Sequence, residues 1–259
     1  MKKATLLIAA ILWVSASVVS QAQTLLLEDF ESYTTPLTNQ VLFRQPTYSG
    51  STSSKLETPP NESVVQTIGG FPYGDPNNIL RVSFNFKDSG VEPLWLRLTT
   101  FNAPTLPNPT IGLWQGWGVQ FDIYPSVPLH VTTLVRETES NAALGANGGS
   151  SGTIEFVGGN PTLASGNRGK TALANAWTTL TFDFTTDPVF GLTGNGVLNP
   201  GNDNKGVLEA LGLAADPGTT EPIHVWLDNF RMIPEPSTVA LTALGGLAAA
   251  LWNARRRTV

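Results

Sequence analysis

No cysteine occurs anywhere in the chain, which excludes disulfide staples, thiol nucleophiles and thiolate metal sites. Histidine is nearly as scarce. The two present, His130 and His224, fall within expected strands with no serine elbow or metal spacing beside them, and each reads as a polar strand residue. There is no low-complexity linker and no repeat of fixed period, which argues for one folded unit. Positive charge is thin where a folded domain would lie. Lys2, Lys3, Arg255, Arg256 and Arg257 sit in the two terminal segments, as does Glu235, so of 15 Lys+Arg and 20 Asp+Glu the middle keeps 10 and 19. That acidic balance excludes nucleic acid as a partner and suits cations or neutral polymers.

What is present is most distinctive at the ends. Pro234, Glu235 and Pro236 stop any strand or helix, so folded structure is expected to end at Ile233. Residues 238–252 then form an uncharged apolar run, followed by Asn253, Ala254 and the cluster Arg255, Arg256, Arg257. Fifteen apolar residues reach roughly 22 Å at about 1.5 Å per residue, short of a hydrocarbon core of about 30 Å. Extension to about 238–254 with snorkelling arginines makes a single-pass helix with its basic end in the cytoplasm. At the other end, Lys2 and Lys3 precede an apolar run over 4–19. Ser20, Gln21 and Ala22 offer small residues at the positions a signal peptidase reads, so residues 1–22 read as a signal peptide cleaved after Ala22, with a retained N-terminal anchor as the alternative. The chain is therefore expected to be exported, and an exported domain without disulfides must rely on its own core.

The order Pro234-Glu235-Pro236, short apolar helix, then Arg255 to Arg257 at the C-terminus resembles the PEP-CTERM sorting signal. The resemblance covers residues 234–259. It implies handling by an exosortase, which cuts near the motif and passes the protein from the inner membrane to the cell surface or extracellular matrix. The membrane is then a partner only before processing, and signal peptidase and exosortase are the processing partners.

Residues 23–233 read as an all-β domain. Residues 79–86 alternate with Leu80, Val82, Phe84 and Phe86 on one face. Residues 94–99, 118–124, 129–137, 153–157 and 177–184 repeat the pattern. Loops rich in Gly, Pro, Asn and Ser connect them, as at 102–112 and 141–152. Only residues 205–215 (KGVLEALGLAA) suggest a helix, as one short crossover. The expected fold is an antiparallel jelly-roll β-sandwich, flanked by the N-terminal signal-peptide helix and the C-terminal apolar helix. In the last strand Ile223, Val225 and Leu227 share one parity and Phe230 and Met232 the other, which calls for a bulge at Asp228-Asn229.

The opening Leu27-Glu28-Asp29-Phe30-Glu31, the strand from Trp177 to Phe184 and the closing segment from Val225 to Phe230 are similar to carbohydrate-binding modules of the jelly-roll type and to concanavalin-like sandwiches. By that resemblance Glu28, Asp29, Glu31 and Asp228 are candidate ligands of a structural calcium, because oxygen donors suit a hard cation. The competing reading has Asp228 and Asn229 merely satisfying backbone groups at the bulge. No cofactor is required on either reading. Sugar binding in such modules uses exposed aromatic rings. Trp95 lies on the parity opposite Leu94, Leu96 and Leu98, beside Arg97, and Trp114 and Trp117 lie in a glycine-rich segment, so Trp95, Arg97, Trp114 and Trp117 are the candidate ligand-binding residues.

Catalytic signals are poor. Glu137 and Glu139 share a strand face roughly 6.5–7 Å apart, near the separations used in glycoside hydrolysis. The concanavalin-like endo-glucanases carry Glu-x-Asp-x-x-Glu, whereas this chain has Glu137, Glu139 and then Ala142, which argues against hydrolase activity. The 191–206 loop around Asp203 fits no EF-hand spacing and reads as a plain loop. The favoured function is a non-catalytic surface or matrix protein with a glycan-binding sandwich. A glycan-active hydrolase or lyase, and an adhesion or assembly subunit, are the alternatives.

Overall fold

The computed structural model describes residues 24–38, 41–69, 77–87, 93–100, 108–137, 154–199 and 204–234. The expected signal peptide, the apolar C-terminal run with Glu235, Pro236 and the three arginines, and also Glu139 and Asp203, lie outside the described residues. Among the described residues no helix is long and apolar enough to cross a membrane.

In chain order the strands are β1 (Leu25–Glu28), β2 (Leu37–Thr38), β3 (Glu62–Ile68), β4 (Asn77–Phe84), β5 (Trp95–Thr99), β6 (Thr110–Gly112), β7 (Trp117–Pro125), β8 (Leu129–Glu137), β9 (Ile154–Val157), β10 (Lys170–Ala172), β11 (Thr178–Asp183), β12 (Val189–Gly191), β13 (Lys205–Ala215) and β14 (Ile223–Pro234). They form two seven-stranded antiparallel sheets among the described residues. The first runs β11-β7-β14-β4-β3-β2, with β1 also on β14; the second runs β12-β9-β8-β13-β5, with β10 on β8 and β6 on β13. Because β7 pairs with β14 along nearly its whole length, β4 and β1 share the opposite edge, β4 at residues 223–227 and β1 at 230–232.

The period-two pattern explains the layering. Val119, Phe121 and Ile123 of β7, Leu80, Val82 and Phe84 of β4, and Val225 and Leu227 of β14 are all fully buried between the sheets. The register of β14 against β7 slips between Asp228 and Arg231, and Asn229 has φ 54°, so the bulge required by the parity change is present. Its effect is to turn Phe230 into the core. There Phe230 stacks on Phe121 at 4.7 Å between ring centroids and 17° between planes, and meets Phe43 at 5.4 Å and Phe30 at 6.2 Å.

Residues 205–215 are not a helix. They form β13, the strand between β8 and β5, paired from Gly206↔Glu137 to Ala215↔Leu129. Residues 206–215 are buried throughout, so both faces are apolar except at the paired Glu209, and a nearly continuous apolar run mimics helical spacing. Strand β14 also extends one residue past the expected limit, to Pro234, which stands opposite Trp117.

Candidate functional site

The outer face of the second sheet is covered. Trp95, Leu134, Ile154, Phe156, Ala210 and Ala214 form a second buried cluster there, and Trp95 meets Phe156 edge to face at 5.9 Å. The loop after β9 folds over this face: a Cβ on Gly212 would come within 3.1 Å of the Pro161 ring. Trp95 does point away from the main core, but at 5% exposure it offers no ring face to a ligand. Arg97 is likewise committed. Its Nη2 donates to Glu209 Oε1 at 2.8 Å, while Arg136 donates to both Glu209 oxygens at 3.0 Å. The trio is an internal ion cluster rather than a binding group.

Trp114 and Trp117 do come together, edge to face at 5.2 Å, just before and at the start of β7. The Trp114 ring lies flat over Gly112, where a Cβ would sit 1.8 Å from it, and remains 42% exposed. Trp117 packs against the core.

The four carboxylates suggested for calcium each have protein donors. Glu28 accepts from the Phe30 amide at 2.7 Å and the Tyr33 hydroxyl at 3.1 Å, Asp29 from the Glu31 amide, and Glu31 from the Asn78 amide. Asp228 accepts from the Asn229 amide at 2.7 Å and from Asn77 Nδ2 at 2.8 Å. Among the described residues no three acidic or histidine side chains converge as metal ligands would. Asp228 therefore does what the bulge needs, satisfying backbone and amide donors. Burial, with the charges of Asp122 and Glu31 nearby, pushes its pKa up to about 6 against those hydrogen bonds. Glu137 plays a comparable part at the end of β8: it accepts the Asn199 amide, and burial raises it to about 7. His130 meets Asp216 at 3.2 Å and His224 meets the Ser83 hydroxyl at 2.9 Å.

The first sheet's outer face is different. On β7 the core parity leaves Gln120, Asp122 and Tyr124 outward; on β14 it leaves His224 and Trp226 outward. Register then does the rest. Trp226 stands opposite both Tyr124 on β7 and Arg81 on β4, and Trp177, one residue before β11, reaches Tyr124. The result is a cross-strand row, Trp177, Tyr124, Trp226, with ring centroids 5.7 and 5.5 Å apart, continued by Arg81 and its 2.5 Å ion pair to Glu62. All three rings are partly exposed. Ile68 and Gly69, at and just beyond the end of β3, close one side of a shallow cavity of about 260 Å³ against them. That is below the roughly 300–1,000 Å³ of a drug-sized pocket and suits one ring-sized group at a time. His224 and Ser83 flank the row on one side, and His224 lies 6.1 Å from Trp226.

On the other side lies a ladder of satisfied polar groups. Thr179 donates to Asp122 at 2.6 Å, Asn229 Nδ2 to Asp122 at 3.0 Å, Gln120 to Thr181 at 2.7 Å, and Arg231 Nε to Gln120 at 2.9 Å. Asp122 and Asp228 stand directly opposite each other here, but Asp228 is 1% exposed with both oxygens occupied, so the pair clasps the bulge and is not presented to a ligand.

The sequence reasoning missed Tyr124 and Trp226 although their outward parity was readable. The parity argument that singled out Trp95 applies equally to Tyr124, between inward Ile123 and Pro125, and to Trp226, between inward Val225 and Leu227.

No family model matches the sequence, and no curated protein matches it. Among solved structures, the chain is similar to a family 30 carbohydrate-binding module of a cellulosomal cellulase of Clostridium thermocellum. That match has 13% identity, covers 83% of this chain and 99% of that one, and has a TM-score of 0.42. It is also similar to a family 11 carbohydrate-binding module from Clostridium thermocellum in complex with a β-1,3-1,4-mixed-linked tetrasaccharide, at 14% identity, 82% and 96% coverage and a TM-score of 0.41. With identity and TM-score this low, the site is read from this chain's own side chains.

Proposed function

We propose that the chain is an exported cell-surface or extracellular-matrix protein whose β-sandwich binds a neutral glycan along the row Trp177, Tyr124, Trp226 without cleaving it. The observation that carries this reading is the row itself: three partly exposed aromatic rings aligned across neighbouring strands, with Arg81, Glu62 and His224 beside them. Aromatic rings in such a row present flat apolar faces to sugar rings, and the flanking polar groups supply hydrogen bonds to hydroxyls. The acidic composition of the middle of the chain favours an uncharged polymer over a polyanion.

Export and sorting belong to the same proposal and rest on the sequence: the signal peptide, the Pro234-Glu235-Pro236 motif, the apolar run and the arginine cluster. On this reading the apolar run holds the protein in the inner membrane until an exosortase acts.

The test is retention of the protein on a panel of neutral polysaccharides, with released sugar assayed in the same wells. Retention without release, lost in Trp226→Ala and kept in Trp114→Ala, supports the proposal. Release of sugar would favour the hydrolase alternative. Retention that Trp226→Ala leaves intact would move the site elsewhere.

A further inference from the structure

Both ends of the folded chain leave from the same end of the sandwich. Leu25 of β1 pairs opposite Met232 of β14, and Pro234, two residues further on, pairs opposite Trp117 of β7. The first sheet also meets the second here, because the Gly112 amide of β6 donates to Met232 Sδ at 3.3 Å and the Trp114 ring lies over Gly112. This end is unusually apolar at its surface. Leu25 is 52% exposed, Leu26 56% and Trp114 42%, with Trp117 edge to face against Trp114. The acid that strand pairing brings beside β7's start is matched: Asp183, opposite Gly118, accepts the Thr185 and Thr186 amides, and Asp187 pairs with Lys170 at 2.6 Å.

The length of chain beyond this end decides what could cover it. Three residues separate Pro234 from Thr238, where the uncharged run begins, so the surface around Pro234 lies within roughly 14 Å of that run at full extension. The run itself is about 8 Å too short to cross a hydrocarbon core at about 1.5 Å per residue, which draws flanking residues into the interface. Tryptophan and leucine suit that zone, with the indole N–H toward headgroups and the ring toward acyl chains.

We infer that the end of the sandwich bearing Leu25, Leu26, Trp114 and Trp117 is seated on the headgroup interface of the bilayer. The inference rests on the reading of residues 238–252 as a membrane segment. It also orients the molecule. Tyr124 lies seven residues along β7 from Trp117, roughly 23 Å at about 3.3 Å per residue, so the aromatic row is held away from the membrane, toward external polymer.

The absence of cysteine makes the test direct. The full chain carrying Leu25→Cys, or Leu173→Cys at the exposed opposite end, is spin-labelled and reconstituted into phosphatidylethanolamine–phosphatidylglycerol vesicles. Leu173 is 62% exposed and follows Ala172, which pairs with Leu129 at the far end of β8. Access of a water-soluble nickel complex to each label is then compared. The expected result is co-flotation with vesicles and severalfold lower nickel access at position 25 than at 173, with the difference abolished by adding Trp114→Ala. Co-flotation with equal access at both positions overturns the inference while leaving the membrane segment standing. Failure to co-float overturns both. Protection of position 25 in native membranes but not in pure vesicles replaces the bilayer with a protein partner and overturns the inference as stated.

Discussion

Trp226 stands directly opposite Tyr124 across the β7–β14 pair, their rings 5.5 Å apart and edge to face, on the outward side of a sheet whose inward side is fully buried. Two aromatics in register on a solvent-facing row serve no core. Truncating either should therefore cost far more in ligand retention than in stability. Trp226→Ala is expected to weaken glycan retention by about tenfold or more, as central aromatic anchors do. Its effect on unfolding should be near the 0.5–1.5 kcal/mol of a lost ring pair plus the area it covers. Side-by-side retention and urea-unfolding curves of the variant check both.

The Arg136–Glu209–Arg97 cluster makes the opposite prediction. Glu209 is 5% exposed and accepts from two arginines, so Glu209→Ala removes the carboxylate that both buried guanidinium groups share. The expected loss is about 3–5 kcal/mol, read as a lower urea midpoint at unchanged slope. Glycan retention of the fraction still folded should not change, because the cluster lies on the other sheet.

Acid should stabilise this fold rather than weaken it over part of the range. Asp228 is raised from 3.8 to about 6 and Glu137 from 4.5 to about 7, both chiefly by burial. Between about pH 4 and 7 the folded state therefore binds more protons than the unfolded one, and stability falls as pH rises through that window. Each carboxylate, once ionised in the folded state, costs on the order of 3 kcal/mol of stability. Asp228→Asn should flatten the lower part of that decline, up to about pH 6, and leave the part due to Glu137. Unfolding midpoints measured from pH 4 to 8 for both proteins test the sign as well as the size.

Phe230 is where the bulge and the core meet. It touches Phe30, Phe43 and Phe121 and is fully buried, so Phe230→Ala should cost about 3–5 kcal/mol. Deleting Asn229 should cost less than that, because it removes the one extra residue of the bulge, restores strict alternation from Leu227 and leaves Phe230 inward. Thermal unfolding of the two variants tests this.

Much of the sandwich was legible because half-buried strands announce themselves: β7 and β14 each alternate, and the parity change at Asp228-Asn229 located the bulge. What failed, failed for physical reasons. Strand β13 is buried on both faces, so the alternation that marks a strand is lost and its apolar spacing passes for a helix. Trp95 was placed on the correct parity, but whether a second layer covers that face depends on the loop carrying Pro161, which parity cannot report. The row Trp177, Tyr124, Trp226 required register between strands more than 40 residues apart, which only the paired sheet supplies. The calcium reading grouped Glu28, Asp29, Glu31 and Asp228 by proximity of the first and last strands. Those strands do pair, and each of the four carboxylates also accepts a hydrogen bond from the protein, Glu31 and Asp228 from the adjacent residues Asn78 and Asn77 of β4.

The most direct test is calorimetric titration of the glycan retained in the panel into the protein and into Tyr124→Ala and Trp226→Ala, with Trp114→Ala alongside. The account predicts measurable binding for the unsubstituted protein and Trp114→Ala, and a loss of about tenfold or more in affinity for the two row variants. Equal affinity in all four, or loss only with Trp114→Ala, would contradict the assignment of the site to this row.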